Sequence, residues 1–582
     1  MNRHTHSKRQ AFFVLLYTLS SLATKAESIV SFSAQGGFYD TSFSLSLTCP
    51  QGLTIHYTTN GNAPTPYDAT YEQPLFLDER LYSKSNIYTI QTCPDTTWFV
   101  PETIQRCIVI RAAAFDSEKR QVGETSTNSY FIKSLDSFST HLPVVSLCAD
   151  SADLFGYEEG LLLQEGAHEN SFQHGKHWER LCNMEFYEHD NSGINQLAGL
   201  RMHGNNARSG IQKGMKVYAR REYGQNRFCH PFFETIKNRC FKHLTLKPFR
   251  DGTIFGDYLC NRLAYSVDVE TMATRPVILF LNGEYWGLYF LKEQPDAHYV
   301  SEHFGYDDKD VDVIESWYGH VADGDNENFV AMMRWFMQAD LSEYTAYEHA
   351  SQLIDIGCFI DYYCFCIFTG INDWPSCNMR CWQAGNSKWR WIFFDGDEGC
   401  GPYYKNTFRR AVYGENNAPK LVFAKLLGNA NFRDRFYHRY GHLITNELSY
   451  ENTKGTFDSC VASIENDVDR HFKRFMPDCK VKHERNIRLT DQFLKYRIVG
   501  AAGMAYSIWY EQGWEYRLSA KPKQAKFDYN PYKTRPTYLL KMWRQFDDAR
   551  YLKAYFAFEP YRISHEFKNT KLYQFVKRKM KS

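Results

Sequence analysis

"WRWIFFDGDEGCG", residues 389–401, joins a mostly apolar run to an acidic, glycine-rich turn. The run predicts a buried strand whose end brings Asp395, Asp397 and Glu398 together. Carboxylates at a strand end are hard oxygen ligands, which suit a divalent cation. A surface turn whose carboxylates cap backbone amides is the alternative. The stretch therefore indicates either a metal site or a plain acidic turn, and the rest of the chain has to decide between them.

A second acidic segment, "TGINDWPSCNMRCW", lies just before that strand. In it Asp373 is followed five positions later by Asn378, and Asp395 comes seventeen residues after Asn378. An Asp, an Asn five residues on and an Asp at the end of the next strand is the order used by protein kinases. There the first acid accepts the proton of a substrate hydroxyl, while the amide and the second acid hold Mg²⁺. An Asn-Asp turn ahead of Pro375 is the alternative for Asp373.

Residues 200–224, "LRMHGNNARSGIQKGMKVYARREYG", predict a strand, a polar loop and a returning strand that carries Lys213 and Lys216. Backbone amides of such a loop can cradle phosphates, and a lysine on the returning strand can neutralise them. The usual kinase signals are missing, since there is no G-x-G-x-x-G loop and Ile371-Asn372 replace the His-Arg pair before Asp373. Lys213 is the first candidate for the phosphate lysine and Lys216 the second. A surface lysine is the alternative.

Composition limits the classes of protein. A chain of 582 residues exceeds one hydrophobic core and predicts two to four domains, at roughly 150 residues each. Its formal net charge of +1 offers no electrostatic case for nucleic acid as a partner. The 16 cysteines match no paired zinc-binding pattern, and Cys93 with Cys107 is the candidate for a local disulfide.

Residues 1–26 have the pattern of a secretory signal peptide. A basic lead precedes an apolar run over residues 11–23, and the small residues Thr24 and Ala26 follow. The run is too short for a comfortable membrane span, and no later stretch reaches the length of a transmembrane helix. The sequence therefore predicts export to the cell surface, the periplasm or the extracellular space.

Short β-rich segments separated by turn residues occupy residues 29–134 and predict a small all-β sandwich. The motif "IHYTTNGNAPT" (55–65), followed by "YEQPLFL" and a closing "SYFI", resembles the chitobiase C-terminal-like β-sandwich that accompanies exported catalytic domains. The resemblance implies a non-catalytic accessory module that can contact glycan. An inert spacer is the alternative.

Residues 140–500 place β-rich segments first and longer helical patterns later, which indicates an α+β domain with two lobes and a cleft. One helical segment, "IFGDYLCNRLAYSV" (254–267), interrupts the early strands. Residues 501–582 are rich in Tyr, Lys and Pro and form a C-terminal extension without an assignment.

Four motifs in this region occur in the same order as in the spore-coat protein H (CotH) kinase family. They are "RMHGNNARSGIQKGMKVYARREYG" (201–224), "NGEYWGLYFLKEQPD" (282–296), "NDWPSCN" (372–378) and "WIFFDGDEGCG" (391–401). Residues 140–500 resemble this family, which implies an atypical protein-kinase-like fold that binds ATP and Mg²⁺. It also implies transfer of phosphate to Ser or Thr of a protein substrate, such as a surface or coat protein.

The resemblance implies roles for the two acidic segments. Asp373 looks like the catalytic-loop acid and Asn378 like its metal-binding partner. Asp395 looks like the metal ligand at the strand end, and Asp397 can share or replace that role because both lie on the same turn.

The resemblance also implies nucleotide contacts. Lys213 looks like the phosphate lysine, with Lys216 as its substitute. Glu293 ends the "GLYFLKE" strand, either at the hinge between lobes or beside the lysine. Phe394 stands where family members carry the second residue of a Pro-Trp pair, whose ring suits stacking on adenine, and Phe393 precedes it.

Two departures from the family pattern favour a second hypothesis. The Pro-Trp pair is replaced by Phe393-Phe394, and Gly256 stands before Asp257 where family members often carry Arg. Export also sends the domain to a place where ATP is scarce. The alternative function is therefore a cell-surface binding or adhesion protein built on a degenerate, pseudokinase form of the same scaffold.

Overall fold

The structure is a computed structural model, and it describes residues 28–93, 100–135, 140–163, 169–249, 255–413, 419–475 and 479–512. The predicted signal peptide lies outside these ranges, as does the part of the C-terminal extension beyond Gln512. No helix in the described ranges is both long enough and apolar enough to cross a lipid bilayer.

The N-terminal domain consists of short strands packed as sheets. Its strands are Ser31–Phe32 (β1), Gly37–Tyr39 (β2), Ser44–Leu45 (β3), Leu47–Thr48 (β4), Thr54–Thr58 (β5), Ala69–Thr70 (β6), Leu75–Phe76 (β7), Ile108–Phe115 (β8) and Gln121–Ile132 (β9). The main sheet has the order β2-β9-β8-β5-β6, and the pairs β1-β4 and β3-β7 lie beside it. This is the all-β module that the turn-separated segments predicted.

Strand β8 connects this module to the next domain, because all eight of its residues are buried. Ile108 and Ile110 lie in the core of the N-terminal domain, whereas Val109 belongs to the large core of the following one. The backbone of Cys107 also donates a hydrogen bond of 2.9 Å to the carbonyl of Gly283. The two domains therefore share a packed interface, with apolar contacts on the second face of β8.

A closed barrel begins the second domain. Its connections contain the helix Ser151–Phe155 (α1) and a two-stranded hairpin. The strands in chain order are Val144–Cys148 (β10), Arg180–Tyr187 (β11), Gly193–Met202 (β12), Met215–Tyr218 (β13), Phe228–Cys229 (β14), Cys240–Phe241 (β15), His243–Pro248 (β16), Thr274–Leu281 (β17) and Glu284–Lys292 (β18). The barrel order is β10-β11-β12-β13-β16-β18-β17, and β14 pairs with β15 in the hairpin.

The barrel carries a row of polar residues on its outer surface. Met215 and Val217 lie in the barrel core, so Lys216 between them points outward, since successive side chains of a strand face opposite sides. The strand register places Lys216 opposite Thr245, and Thr245 opposite Lys292. These three outward residues form a transverse row across β13, β16 and β18.

The disulfide of the described residues lies in the hairpin. Cys229 and Cys240 are directly opposed in the β14–β15 register, which brings their sulfurs together. The predicted local pair is wrong, because Cys93 and Cys107 are both free and buried.

The rest of the second domain is mainly helical. Its elements are Phe255–Tyr265 (α2), Ala297–Phe304 (α3), Val311–Ile314 (β19), Val321–Asp323 (β20), Glu327–Gln338 (α4), Tyr344–Leu353 (α5), Ile356–Thr369 (α6), Arg380–Ala384 (β21), Arg390–Ile392 (β22), Thr407–Tyr413 (α7), Pro419–Gly428 (α8), Ala430–Thr445 (α9), Tyr450–Ala462 (α10), Glu465–Phe475 (α11) and Cys479–Glu511 (α12). Strands β20-β19-β21-β22 form a small sheet in this order. The predicted α+β class, with strands first and helices later, is confirmed.

Two local predictions about the strands need correction. The strand predicted over "WRWIFF" is paired only at Arg390–Ile392, because Trp389 and Phe393 make isolated bridges to Ile354 and Thr271. Strand β13 begins at Met215, so Lys213 lies in the preceding loop and only Lys216 is on the strand.

Candidate active site

Helix α2 packs against the acidic turn that follows β22. The turn bends at Asp395, whose φ of 57° lies in the left-handed region that Asp tolerates better than most residues. The backbone N–H of Gly396 donates a 3.0 Å hydrogen bond to Oδ1 of Asp257, which is on the first turn of α2. One buried carboxylate thus holds the helix to the turn.

Gly256 allows this close approach. A Cβ at this position would lie 2.6 Å from the carbonyl oxygen of Gly396 and 2.8 Å from that of Asp397. Both contacts are shorter than van der Waals separation, and backbone atoms cannot move aside cheaply. The absence of a side chain before Asp257 is therefore a packing requirement of this turn.

Gly256→Ala should consequently destabilise the protein. We expect the free energy of unfolding to fall by about 1–3 kcal/mol, as for overpacking of a filled core, which urea titration measures. Gly455→Ala is the matched control, because Gly455 is also helical and a Cβ there meets nothing within 4 Å. The control should gain about 0.5–1 kcal/mol from helix propensity. Similar changes in both variants would contradict the close packing of α2 on the turn.

Lys247, on β16, is the central cation of the site. Its ammonium lies 2.6 Å from Oδ1 of Asp395, 3.1 Å from Oδ2 of Asp257 and 3.5 Å from Oδ2 of Asp397. Burial alone would lower the pKa of Lys247, but these three carboxylates raise it well above its ordinary value. The lysine is therefore charged and joins the barrel to both α2 and the turn.

A second lysine reinforces Asp257. Lys292 of the outward row lies 2.5 Å from Oδ2 of Asp257, and Asn261 donates a 3.0 Å hydrogen bond to Oδ1. Although burial would raise the pKa of Asp257, Lys247 and Lys292 hold it well below its ordinary value. This carboxylate is ionised and positions both lysines.

The pKa of Asp397 is shifted in the opposite direction. Burial, with repulsion from Asp395 and Asp257, raises its pKa to about 6, although Lys247 pulls it down. Its carboxyl thus binds a proton more tightly in the folded state than in the unfolded chain, where the pKa is near 3.8. The free energy of unfolding should fall as the pH rises from about 4 through 6.

Asp397→Asn tests this pH dependence. Because the amide cannot ionise, the variant should lack the decrease and be more stable than the natural protein at pH 7. The side chain is 42% exposed, so solvent screening limits the expected gain to about 1 kcal/mol. Urea titrations at pH 4, 5, 6 and 7 measure it. A gain that is the same at pH 4 and pH 7 would contradict the raised pKa.

The loop after α6 reaches the same turn through one amide. Nδ2 of Asn378 donates to Oδ2 of Asp373 at 2.8 Å and lies 3.4 Å from the carbonyl oxygen of Asp395. Asn378 itself has a φ of 55°, a conformation that Asn accepts readily. The structure thus brings Asp373, Asn378 and Asp395 together.

The second carboxylate oxygen of Asp373 stays without a hydrogen bond. Oδ1 is buried and has no partner among the described residues. Burial raises the pKa of Asp373, and the nearby Asp395 and Glu398 add to the increase, against the residue's own backbone N–H and Arg410. A buried acceptor oxygen without a donor is the feature expected where a substrate hydroxyl binds.

The two lysines predicted for phosphate binding make other contacts in the described residues. Lys213 is buried in the loop, and its ammonium donates a 2.7 Å hydrogen bond to the carbonyl of Arg208. Lys216 lies at the other end of the outward row, where burial lowers its pKa to about 8 against the influence of Asp296 and Asp323. The lysine at Asp395 is Lys247 instead.

Glu293 is at the hinge, directly after β18. Its carboxylate accepts a 2.8 Å hydrogen bond from the N–H of Ala273 and pairs with His303 of α3 at 2.9 Å. These contacts hold the segment that connects the barrel to α3.

The predicted aromatic lies on the hinge side of the turn. The guanidinium of Arg380 lies over the ring of Phe394, 4.6 Å from its centroid, and donates a 2.8 Å hydrogen bond to the carbonyl of Pro295. Phe394 is half-buried, whereas Phe393 is buried against Phe365. Of the two rings, only that of Phe394 is partly exposed to solvent.

Sequence reasoning missed Lys247, Asp257 and Lys292. Lys247 is the only charged residue in "LTLKPF" (244–249). A single lysine in a mostly apolar strand is a signal that its charge has a specific partner. Asp257 is preceded by the unusual glycine, and Lys292 is adjacent to Glu293 in a motif of the family. Their convergence could not be read locally, since they lie on three separate elements.

The donor set suits magnesium in combination with a phosphate ligand. Among the described residues, no three His, Cys, Asp or Glu side chains are arranged to hold a metal ion alone. Magnesium usually takes one or two carboxylates, together with waters and substrate phosphates. The carboxylates of Asp395 and Asp397 supply oxygens of that kind beside Lys247, and the neighbouring Asn378 carries an amide oxygen.

Comparison with known proteins agrees with this geometry. The family model described as CotH kinase protein matches residues 200–497, which is more than half of the chain. The model described as chitobiase/beta-hexosaminidase C-terminal domain matches residues 34–127. No curated protein matches the chain.

Two solved structures resemble the chain weakly. A proinflammatory kinase CtkA from Helicobacter pylori is 11% identical, with 50% of this chain and 94% of that chain covered and a TM-score of 0.25. A HipA, HipB and operator DNA complex from Shewanella oneidensis is 12% identical, with 51% and 65% covered and a TM-score of 0.26. Scores this low carry no argument. The family match, which spans both lysines and all the carboxylates of the site, shows that this protein belongs to the CotH kinase family and carries an N-terminal chitobiase/beta-hexosaminidase C-terminal domain.

Proposed function

We propose that the protein is an ATP-dependent kinase that transfers the γ-phosphate to Ser or Thr of a protein substrate, with Mg²⁺ as cofactor. One observation carries the proposal. The amide of Asn378 joins the Asp373 carboxylate to the Asp395 turn, while Lys247 contacts that turn from the barrel. An acceptor for a proton, oxygens for a metal and a cation for phosphates therefore lie around one turn.

Each residue has a task that follows from its contacts. Oδ1 of Asp373 is the atom that receives the proton of the acceptor hydroxyl, because Oδ2 is already bonded to Asn378. Lys247 neutralises phosphate charge, and Asp257 keeps it in position. Asn378, Asp395 and Asp397 hold the metal, which when bound supplies positive charge to the phosphates.

The nucleotide base is assigned to the hinge side of the cleft. Phe394 offers a half-buried ring there, stacked by Arg380, and Glu293 holds the hinge through Ala273 and His303. The outward row extends from this side toward Lys292 and adds Lys216 as a further cation.

Two experiments test the function: thermal melting with and without MgATP, and a transfer assay with radiolabelled ATP. A ligand that binds only the folded state stabilises it, by about 2.7 kcal/mol at a concentration 100 times its dissociation constant. We expect MgATP to raise the melting temperature, and labelled phosphate to appear on a protein acceptor with the natural chain but not with Asp395→Ala. No shift in melting temperature would contradict the proposal and favour the adhesion alternative. Equal labelling by both proteins would contradict the role of Asp395.

The location and the partners of the protein are part of the same proposal. We place the protein outside the cytoplasm, with a surface or coat protein as acceptor and the N-terminal domain in contact with glycan. The match of residues 34–127 to the chitobiase/beta-hexosaminidase C-terminal domain supports this setting, and β8 packs that domain against the second one. Sequencing the N-terminus of secreted protein tests export, and an intact Met1 on all of the protein would contradict it.

A further inference from the structure

Two cations converge on the residue before Asp373. The ammonium of Lys405 donates a hydrogen bond to Oδ1 of Asn372, and Nη2 of Arg410 lies 3.5 Å from the same oxygen. The amide nitrogen of Asn372 is held in turn by Glu398, 3.3 Å away. A neutral amide oxygen is therefore the shared partner of two positive groups.

No carboxylate within ion-pair distance neutralises either cation in the described part of the chain. Lys405 bonds to Asn372, and the other contacts of Arg410 are with backbone, including the carbonyl of Trp374 at 3.5 Å. Burial lowers the pKa of Lys405, and repulsion from Arg410 adds to the decrease against Glu398 and Asp373. Both side chains are half-exposed. Two partly exposed like charges that share one neutral partner form a ready site for an anion.

The location connects this site to the acceptor. Asn372 immediately precedes Asp373, and the charge of Arg410 reaches the Asp373 carboxyl. Lys247, which serves the nucleotide phosphates, contacts Asp257, Asp395 and Asp397 instead. The cations near Asp373 are thus separate from the lysine that contacts the Asp395 turn.

We infer that Lys405 and Arg410 select acceptor segments that carry an anionic side chain next to the reacting hydroxyl. The inference rests on the proposed function. In the reaction, a bond forms between the hydroxyl oxygen of the acceptor and the γ-phosphorus, and the bond from that phosphorus to the β–γ bridging oxygen breaks. The hydroxyl proton goes to Asp373, and ADP leaves. The anionic neighbour, either a carboxylate or a phosphate, binds Lys405 and Arg410 and orients the hydroxyl.

Short serine peptides with different neighbours test the selection. The full chain is assayed with MgATP and peptides whose serine is flanked by Glu, Gln, Lys or phosphoserine. We expect kcat/KM to be about tenfold higher for the Glu peptide than for the Gln peptide, as for one charge-assisted hydrogen bond. A larger value for phosphoserine than for Glu identifies phosphate as the preferred anion. Equal values for Glu, Gln and Lys would overturn the inference.

Charge-neutral variants separate recognition from chemistry. Lys405→Gln and Arg410→Gln should each lower kcat/KM about tenfold for the Glu peptide and leave the Gln peptide within about twofold. Arg409→Gln is the matched control, because Arg409 lies on α7 beside Arg410 but its guanidinium lies over the ring of Tyr413, 4.8 Å from the centroid. Equal losses for the Glu and Gln peptides would overturn the inference and make Lys405 a group that acts on the transferred phosphate.

A binding measurement distinguishes this inference from the proposed function. Fluorescence anisotropy with labelled peptides in the presence of MgADP needs no transfer. Preferential binding of the Glu peptide, abolished in the Lys405→Gln/Arg410→Gln double variant, supports the anion site even if no phosphate moves. Transfer to serine without any preference for anionic neighbours in either assay overturns the anion site and leaves the kinase proposal standing.

Discussion

Asp373→Asn is expected to lower the rate of phosphate transfer by about a hundredfold to ten-thousandfold, the range for loss of a positioned general base. The asparagine has nearly the same shape, so the contact with Asn378 at 2.8 Å can be kept in modified form. What it loses is the basic Oδ1 oxygen, which is buried beside the Asp395 turn and has no donor in the described chain. Initial rates with radiolabelled ATP and a serine peptide measure the effect.

The variant should still bind nucleotide. The groups assigned to the phosphates lie on β16 and on the turn, so the increase in melting temperature with MgATP should match that of the natural protein. A lower rate of phosphate transfer, with the MgATP-dependent increase in melting temperature unchanged, identifies a role of Asp373 in the chemical step. An unchanged rate would contradict the assignment of Asp373, and loss of the increase would show that the substitution disturbs the nucleotide site.

Lys247→Met is expected to have the largest effect on stability. The substitution leaves Asp257, Asp395 and Asp397 crowded without their shared cation, and Asp257 is only 3% exposed. Removing one partner of a buried ion pair costs about 3–5 kcal/mol, because the remaining charge stays desolvated. Lys292 still pairs with Asp257, which places the expected loss near the lower value. Urea titration measures it.

Two further variants sharpen this prediction. Adding Asp395→Asn to Lys247→Met removes one of the carboxylates that repel one another without the lysine. The double variant should therefore recover part of the lost stability, which a double-mutant cycle measures. Lys213→Met is the control for function, because the ammonium of Lys213 bonds to the carbonyl of Arg208, whereas Lys247 is the lysine paired with Asp395. Its effect on stability should leave the MgATP-dependent increase in melting temperature intact, whereas Lys247→Met should remove it. The reverse pattern would return the phosphate role to Lys213.

The part of the site that could be read from sequence is close together in the chain. Asp373, Asn378 and Asp395 lie in one segment of loop, two strands and turn, and their order along it, which is that of protein kinases, predicts that they meet. The structure brings them together through the Asn378 amide. Their chemical roles remain predictions until the transfer assays are done.

The cations could not be read in the same way. Strand β18 is buried along all nine residues, because one face lines the barrel core and the other faces α2 and the helical lobe. The usual alternation of polar and apolar residues is therefore absent, and nothing in "GLYFLKE" tells which of Lys292 and Glu293 faces the cleft. The barrel register decides it, since Lys292 is opposite Thr245 on the outward row.

Gly256 shows how a departure from a pattern acquires a physical reason. From sequence it weakened the case for activity, because family members often carry Arg there. In the structure the missing side chain admits the carbonyl oxygens of Gly396 and Asp397 to within 3 Å of where a Cβ would be. The same glycine that departs from the pattern thereby lets Asp257 reach the turn.

The sequence by itself determined the order of domains, the α+β class and the acidic segments, because hydrophobic periodicity and short motifs act over neighbouring residues. Only the tertiary structure decided which lysine serves the turn, since β16, β18 and α2 become neighbours through barrel closure and packing. Lys247, Lys292 and Asp257 are far apart in the chain, and their mutual attraction becomes strong only after the fold has removed water from around them.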